Sequence, residues 1–364
     1  MKNPHSADLM IYGANGYTGR LITQMAVQRG LRPLLCGRNS LEIATMASQY
    51  NLPYMVVDLN NADQLNDAVL MVDVVLHCAG PFSKTYQPIL QACCKNKTHY
   101  LDITGEIEVF EGIAAQDMAI QAAGIMAVPG VGFDVVPTDC LAAFLKQQLP
   151  SATHLTLAFM GVGGGVSHGT ATTMLQNIER GGAVRLDGKI TPVPHLYRSR
   201  DIVFNKKSVK TFTIPWGDVS TAYHSTGIPN IEVYVVLGSM VERVLGLTQK
   251  MNWLLKRQFI KNLLQKAVNA QAQGPTDQQR AKGKSFVWGE VVDANNNRAS
   301  ARLITPEGYT LTALAALAAV EQVLKGNIKV GFQTPSRAFG ADFVLTLPNT
   351  TRELLSNKKN ITIN

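Results

Sequence analysis

The sequence predicts an α/β protein with two parts: a doubly wound parallel sheet, then a second α+β domain with a mixed, largely antiparallel sheet. Three observations predict this fold. Over the first 130 residues, short apolar segments alternate with segments of helical period, which is typical of parallel strands joined by covering helices. A glycine-rich turn follows the first apolar segment. Beyond residue 130, the strand-like segments are separated by polar turns, which favours antiparallel pairing.

The elements follow in order along the chain. In domain 1–130, we predict strands at residues 9–12, 32–36, 54–57, 72–78, 98–103 and 125–128, and helices at 16–29, 41–50, 62–69, 86–95 and 107–123. In domain 131–305, we predict strands at 155–159, 209–214, 231–237, 285–292 and 299–304, and helices at 137–149, 169–179 and about 240–272. A last helix is predicted at 309–325, a hairpin turn at 293–297, and fraying from Asn349 onward.

Composition narrows the function classes. The chain has 364 residues, 46% hydrophobic and 16% charged, which excludes a disordered protein. A net charge of +8 favours anionic partners such as phosphorylated cofactors. The sequence lacks a clean apolar run of about 18 residues and a signal-peptide pattern, so we expect a cytoplasmic protein. Five cysteines without CxxC, and histidines without paired spacing, predict reduced thiols and no metal centre.

The most informative motif is the sequence GANGYTG at residues 13–19, directly after the first strand. Glycines at this spacing permit a tight turn and close approach to a pyrophosphate, which the following helix N-terminus stabilises. The pattern predicts a dinucleotide-binding Rossmann domain. The second strand ends in Cys36-Gly37-Arg38-Asn39-Ser40, with an arginine where NAD-binding proteins usually have an acid. A guanidinium can hold a 2′-phosphate, so we predict NADP(H) rather than NAD(H), with Ser40 as a cap for the next helix.

Later strand ends are expected at the same crevice. Asp58 follows the third strand, where it can meet the adenine, and the bent turn at 78–82 follows the fourth. Short-chain dehydrogenases have a similar turn, but no tyrosine here has a lysine four residues later, as they require. The predicted cofactor-binding residues are Gly13, Asn15, Gly16, Tyr17, Thr18, Gly19, Arg38, Asn39, Ser40, Asp58, Cys78, Ala79, Gly80, Pro81 and Phe82.

Four residues are candidates for proton transfer: Asp102, Asp134, His168 and Tyr309. Asp102 ends the fifth strand, and Glu106 nearby can bind the nicotinamide ribose or hold a helix N-terminus. Asp134 lies where a pocket between the domains can begin, although it can also cap the helix near Pro137, a role that we favour for Asp139. His168 follows a second glycine-rich loop and can equally be structural.

The segment 240–266 concentrates basic residues among apolar ones, with Glu242 as its single acid. It can contact an anionic membrane surface, cover a lipophilic substrate, form a dimer face or be an ordinary amphipathic helix with a solvated basic side. Nucleic acid is not expected as a partner, since no recognised binding motif accompanies the segment.

Together these motifs resemble the saccharopine dehydrogenase-like oxidoreductases, a family that includes trans-acting enoyl reductases. The resemblance runs over nearly the whole chain. It rests on residues 13–20, 36–38, 78–82, 100–106, 132–134, 165–171, 287–290, 307–309 and 331–335. Many relatives have glycine where His168 stands.

The resemblance implies an NADP-binding Rossmann domain, a second domain with a mixed sheet, a segment 306–348 that packs back on the first domain, and homodimers. It also implies hydride transfer to or from a C=N or C=C bond of a small-molecule substrate in an interdomain cleft. The alternative is a non-catalytic NADP(H)-binding or membrane-surface scaffold protein.

Overall fold

The computed structural model describes residues 7–163, 181–204, 207–237, 242 and 274–355. His168, the predicted helix 169–179 and the basic segment 240–266, apart from Glu242, lie outside the described residues. Among the helices of these described residues, none has the length and hydrophobicity that a membrane span requires.

The first sheet is parallel and has seven strands. They are β1 Leu9–Tyr12, β2 Leu34–Gly37, β3 Tyr54–Val56, β4 Val74–His77, β5 His99–Asp102, β6 Met126–Val128 and, much later in the chain, β15 Gly331–Phe332. Their order is β15-β6-β5-β4-β1-β2-β3. The order reverses between β1 and β4, and ligands of doubly wound sheets bind at such a reversal, beside the strands' carboxyl ends. The predicted Rossmann-type sheet is therefore confirmed.

Helices connect these strands. They are α1 Tyr17–Gln28, α2 Ser40–Tyr50, α3 Ala62–Leu70, α4 Phe82–Asn96, α5 Ile107–Ala114 and α6 Asp117–Ala122. The prediction of one continuous helix over 107–123 is wrong, because the helix is interrupted before Asp117. The interruption has a physical reason: Asp117 Oδ1 accepts a 2.6 Å hydrogen bond from the amide of Phe332, which ties α6 to β15.

The second sheet is mixed and largely antiparallel, as predicted. Its strands are β7 His154–Val162, β8 Gly182–Leu186, β9 Lys189–Val193, β10 Ser199–Phe204, β11 Lys207–Thr213, β12 Asn230–Val235, β13 Lys284–Val292, β14 Arg298–Pro306 and β16 Thr351–Leu355. The main path is β10-β11-β12-β7-β13-β14-β16, and β8 joins β12 to β9. Among the described strands of this second sheet, β12 and β7 form the single parallel pair. Asp293 closes the predicted hairpin by accepting from the amides of Asn295 and Asn297.

The fraying predicted from Asn349 onward is wrong for residues 351–355. These residues form β16, which pairs antiparallel with β14. Arg302 on β14 donates to Glu353 on β16 at 2.6 and 2.9 Å, so the polar side chains that suggested a solvated tail pair across the strands instead.

The remaining helices pack between or beside the two sheets. They are α7 Val136–Gln148, α8 Asp218–Thr226, α9 Asp277–Lys282, α10 Gly308–Leu324 and α11 Pro335–Phe339, followed by a 3₁₀ turn at Phe343–Thr346. Helix α10 lies against α1, where Arg29 and Glu321 form a 2.8 Å ion pair. One apolar core runs through both parts, since Leu9 of β1, Val287 of β13 and Leu311 of α10 belong to the same buried cluster.

Candidate functional site: a dinucleotide loop facing the second domain

The glycine loop between β1 and α1 is tightly packed. Gly13 has φ +82°, and a β-carbon there would lie 2.8 Å from the backbone nitrogen of Ala79. At Gly19, a β-carbon would lie 2.3 Å from the carbonyl oxygen of Gly13. The loop therefore packs against itself and against the β4–α4 turn, and these two positions require glycine.

The N-terminus of α1 has the chemistry of a phosphate site. Its N-cap is Gly16, which is exposed and makes no side-chain cap, and no acid lies in the first turn. The first amides of this twelve-residue helix therefore keep their partial positive charge for a ligand. This open helix N-terminus and the glycine cradle fit a dinucleotide pyrophosphate.

The end of β2 carries the predicted 2′-phosphate residues. Arg38, Asn39 and Ser40 are all exposed, and Arg38 makes no ion pair with any residue that the structure describes. The expectation that Ser40 caps α2 is wrong: Asn39 is the N-cap, and its Oδ1 accepts from the amide of Glu42. The chain reaches the helix one residue earlier than the serine suggested. An exposed guanidinium beside a helix N-terminus, without an ion pair to the described part of the chain, suits a phosphate.

The ends of β3 and β4 complete the rim. Asp58 is exposed, and its Oδ1 accepts from the backbone and side-chain nitrogens of Asn60. The run Cys78-Ala79-Gly80-Pro81-Phe82 turns through a cis Gly80–Pro81 bond into α4. Burial raises the pKa of the Cys78 thiol well above its usual range, so this residue stays an uncharged thiol beside the crevice.

Glu106 holds this turn from the neighbouring strand. Its two carboxylate oxygens accept from the amides of Phe82 at 2.8 Å and Ser83 at 3.0 Å. Of the roles considered from the sequence, the structure gives it the one at a helix N-terminus, and the helix is α4 rather than its own.

Asp102 is fully buried at the end of β5. One oxygen accepts from the Tyr100 hydroxyl at 2.7 Å; the other accepts from the amides of Thr104 at 2.9 Å and Gly130 at 2.8 Å. Burial raises the pKa of Asp102 to about 6, against the lowering effect of these donors. These donors lie beside the ends of β5 and β6. Asp102 therefore holds the two strand ends together and positions the backbone at the edge of the crevice.

Asp134 has a different environment. Its side chain is half-buried and makes no hydrogen bond with the described residues. It lies against Gly105, where a β-carbon would be 2.6 Å from Asp134 Oδ2. Burial raises the pKa of this carboxyl to about 7, the range that suits a proton donor or acceptor near neutral pH.

Asp139 does not cap its own helix, contrary to the sequence-based expectation. It is fully buried; Oδ1 accepts from the Ser225 hydroxyl at 2.6 Å and Oδ2 from the Ser336 amide at 2.7 Å. Both donors come from distant parts of the chain, so this carboxylate ties α7 to α8 and α11.

Tyr17 and Tyr309 meet where the glycine loop faces the second domain. Their rings pack edge to face, with centroids 5.1 Å apart. Tyr17 Oη also accepts from Arg280 Nη1 at 2.8 Å. The structure thus brings the glycine loop, the start of α10 and α9 together on one side of the crevice.

Sequence reasoning missed three residues here: Arg20, Glu42 and Arg280. Glu42 accepts from Arg20 Nη2 at 3.2 Å and from Asn15 Nδ2 at 3.1 Å. Arg20 directly follows the glycine motif, and Glu42 lies in the first turn of α2. The sequence alone could therefore have predicted that both residues lie beside the same crevice. Arg280 lies 263 residues from Tyr17, and only the tertiary fold reveals its contact.

Comparison with known proteins agrees with this geometry. The family described as "Saccharopine dehydrogenase NADP binding domain" matches residues 9–128, which span β1 to β6. A saccharopine dehydrogenase-like oxidoreductase from Mus musculus is 22% identical and aligns over 91% of this chain and 92% of its own. A trans-acting enoyl reductase from Mycobacterium ulcerans is 30% identical over 36% of this chain and 34% of its own.

The chain spans only about two fifths of the length of other curated relatives, such as 41% of the Rattus norvegicus saccharopine dehydrogenase-like oxidoreductase. Among solved structures, apo saccharopine dehydrogenase (L-Glu forming) from Saccharomyces cerevisiae matches 96% of this chain and 100% of its own. The TM-score is 0.66 at 10% identity, which establishes a shared fold. Residues 9–128 therefore match the saccharopine dehydrogenase NADP-binding domain, and over most of its length the chain is similar to a saccharopine dehydrogenase-like oxidoreductase.

Proposed function

We propose that the protein is an NADP(H)-dependent oxidoreductase that transfers hydride to or from a C=N or C=C bond in the cleft between its two domains. The observation that carries the proposal is Asp134, a half-buried carboxyl without a hydrogen-bond partner among the described residues, lying against Gly105 beyond the end of β5. The carboxyl ends of the parallel strands face the ligand crevice, so Asp134 lies beside the expected path of the cofactor.

The cofactor supplies the hydride when it is bound. The amides at the start of α1 would hold its pyrophosphate, and Arg38 would pair with its 2′-phosphate. Reduction of a C=N or C=C bond also consumes one proton, which Asp134 donates to the nitrogen or to the carbon that does not receive hydride. Asp134 then regains its proton from water at the half-exposed side chain.

The other candidates have different surroundings. Asp102 already accepts three hydrogen bonds, so it shapes the cleft rather than transferring protons. Tyr309 packs on Tyr17 beside the glycine loop, which suits a residue that positions the cofactor. His168 lies outside the described residues and stays a prediction.

Cofactor titration is the first test. We expect tight NADPH binding and weaker NADH binding by calorimetry and nicotinamide fluorescence. Arg38→Ala should weaken NADPH binding by about 10- to 100-fold and leave NADH almost unchanged, because only NADPH carries the 2′-phosphate. If the protein bound neither nucleotide, the oxidoreductase proposal would fail.

Turnover is tested with two substrate classes: imines formed from 2-oxo acids and amines, and α,β-unsaturated thioesters. Asp134→Asn should lower kcat at least about 100-fold while keeping the Kd for NADPH, since general acids contribute roughly 10²–10⁴-fold. Asp67→Asn, at an exposed position on α3, is the control. NADPH binding without turnover of either class would favour the scaffold alternative.

We also propose a homodimer in the cytoplasm that contacts anionic membranes through residues 240–266. The support for the membrane contact is the sequence of that segment, with six basic residues and the single acid Glu242, whereas the homodimer rests on the family resemblance. Light scattering tests the dimer. Vesicle co-sedimentation that decreases with salt tests the membrane contact.

A further inference from the structure

We propose that Glu42 limits the preference of the protein for NADPH over NADH by neutralising Arg20, a second guanidinium at the 2′-phosphate position. The inference rests on the NADP(H) site proposed above and adds a residue that determines cofactor specificity. It follows from a cluster of side chains between the ends of β1 and β2.

Glu42 is the centre of this cluster. Its Oε2 accepts from Asn15 Nδ2 at 3.1 Å and from Arg20 Nη2 at 3.2 Å. Its Oε1 accepts from Asn39 Nδ2 at 2.7 Å. One carboxylate therefore holds the side chains of three neighbours, two of which are predicted cofactor-binding residues.

The cluster lies between the glycine loop and the end of β2, where Rossmann folds bind the adenosine ribose. Asn15 belongs to the glycine loop and lies directly across the end of β2, since a β-carbon on Gly37 would be 2.8 Å from Asn15 Oδ1. Arg20 Nε donates to the Asn15 carbonyl at 2.9 Å, which fixes its guanidinium at this place. The side chains of Arg20 and Glu42 are 44% and 45% exposed, so a ligand can reach them.

The charges of these side chains explain how Glu42 affects the preference for NADPH over NADH. Arg38 follows β2 on the same rim without an ion pair to a described residue, whereas the charge of Arg20 is cancelled by Glu42. A 2′-phosphate would attract both guanidiniums and be repelled by the carboxylate. A free 2′-hydroxyl would instead donate a hydrogen bond to that carboxylate, as it does to the acid in NAD-binding folds. Glu42 thus disfavours NADPH and favours NADH.

The test measures Kd for NADPH and NADH by calorimetry with the full chain. Glu42→Gln keeps the size of the side chain and removes its charge. We expect NADPH to bind about 3- to 10-fold more tightly and NADH to bind equally or more weakly. Arg20→Ala should weaken NADPH binding, and the gain from Glu42→Gln should shrink in the Arg20→Ala background because the two residues act through each other.

Glu321→Gln is the matched control. Glu321 pairs with Arg29 at the far end of the same helix α1, so this variant removes an equal charge from an equivalent Arg–Glu pair away from the crevice. The inference is overturned if Glu42→Gln leaves the NADPH/NADH preference unchanged, or if Glu321→Gln changes it equally. If wild-type protein binds neither nucleotide, the proposed function fails together with this inference.

Discussion

Tyr17 Oη donates a 2.6 Å hydrogen bond to the carbonyl oxygen of Pro275, which lies 258 residues later in the chain. Arg280 completes the contact by donating to both oxygens. A β-carbon on Gly274 would be 2.6 Å from the Tyr17 ring, so the two segments touch closely. A residue of the cofactor loop therefore fastens the second domain over the dinucleotide crevice.

Removing this hydroxyl should loosen the two domains. Tyr17→Phe keeps the ring contacts but leaves Arg280 and the Pro275 carbonyl with fewer partners. We expect a loss of about 1–2 kcal/mol in the free energy of unfolding, measured by chemical denaturation. Tyr54→Phe, at the exposed edge strand β3, is the control and should change stability little. Equal effects of the two substitutions would argue against a specific role for the Tyr17 contact.

Two glycines of the loop should respond differently to alanine. At Gly19, the new β-carbon would lie 2.3 Å from the Gly13 carbonyl oxygen; at Gly16 the nearest atom is 3.4 Å away and φ is −71°. We expect Gly19→Ala to lose about 3 kcal/mol or more of stability, and Gly16→Ala to stay within about 1 kcal/mol of wild type. Thermal melts compare the two. A stable Gly19→Ala protein would show that the loop can relax.

Asp134 should make stability decrease as the pH rises. Burial raises its folded pKa to about 7, so between about pH 4 and pH 7 the folded state keeps a proton that the unfolded state releases. Asp134→Asn cannot ionise. Because the side chain is half-buried and solvent screens part of the effect, we expect this variant to gain about 1–2 kcal/mol over wild type between pH 4 and pH 8.

Chemical denaturation at several pH values measures this difference. A constant difference between wild type and Asp134→Asn across the range would contradict the raised pKa. The same carboxyl should govern activity: kcat/KM for reduction should decrease above about pH 7, where Asp134 loses its proton.

His77 should stay neutral throughout the physiological range. It is fully buried at the end of β4; Nδ1 accepts from the Ala79 amide, and Nε2 contacts the Thr85 hydroxyl at 2.9 Å. Burial lowers its pKa to about 3. Between about pH 6.5 and pH 3 the unfolded state binds a proton that the folded state does not, so acid should remove about 3–5 kcal/mol through this residue.

Nuclear magnetic resonance measures this directly. The His77 ring signals should not change between pH 5 and pH 8, and they should show the tautomer with the proton on Nε2, because Nδ1 is the acceptor. A titration midpoint near 6.5 would disprove the burial argument for the β4 turn.

The sequence predicted the parts of the fold whose hydrophobic pattern is local. The strands around Leu9, Val74 and Leu101 are mostly apolar and almost wholly buried, so their hydrophobic pattern identified them. The hairpin β8–β9 was missed because none of the residues in its second strand is fully buried, so the strand lacks a clear alternation of buried and exposed positions. Strand β16 was missed because its partner Arg302 comes from a different part of the chain.

In the candidate site, too, the residues set by local sequence were predicted and those set by distant contacts were not. The glycine motif and Arg38 were recognisable from spacing alone, because the requirement for glycine is set by the local turn. Glu106 accepts from amides of another helix, and Asp139 accepts from a hydroxyl and an amide of two distant helices, so a short window of sequence could not identify these partners. The partial burial of Asp134, which makes it a candidate acid, depends on packing against Gly105, which lies 29 residues earlier in the chain.

Strand β15 places a constraint on synthesis of the protein. The seventh position of the first sheet is filled by Gly331 and Phe332, whose strand pairs with Met126 and Ala127 of β6. While a ribosome is making the intervening residues, the edge of β6 lacks its partner and Asp117 lacks the Phe332 amide. Most of the nucleotide-binding domain is synthesised early, but its sheet receives its last strand only when Gly331 and Phe332 have been made. Nascent chains arrested before residue 331 should therefore be more sensitive to protease than chains released after it.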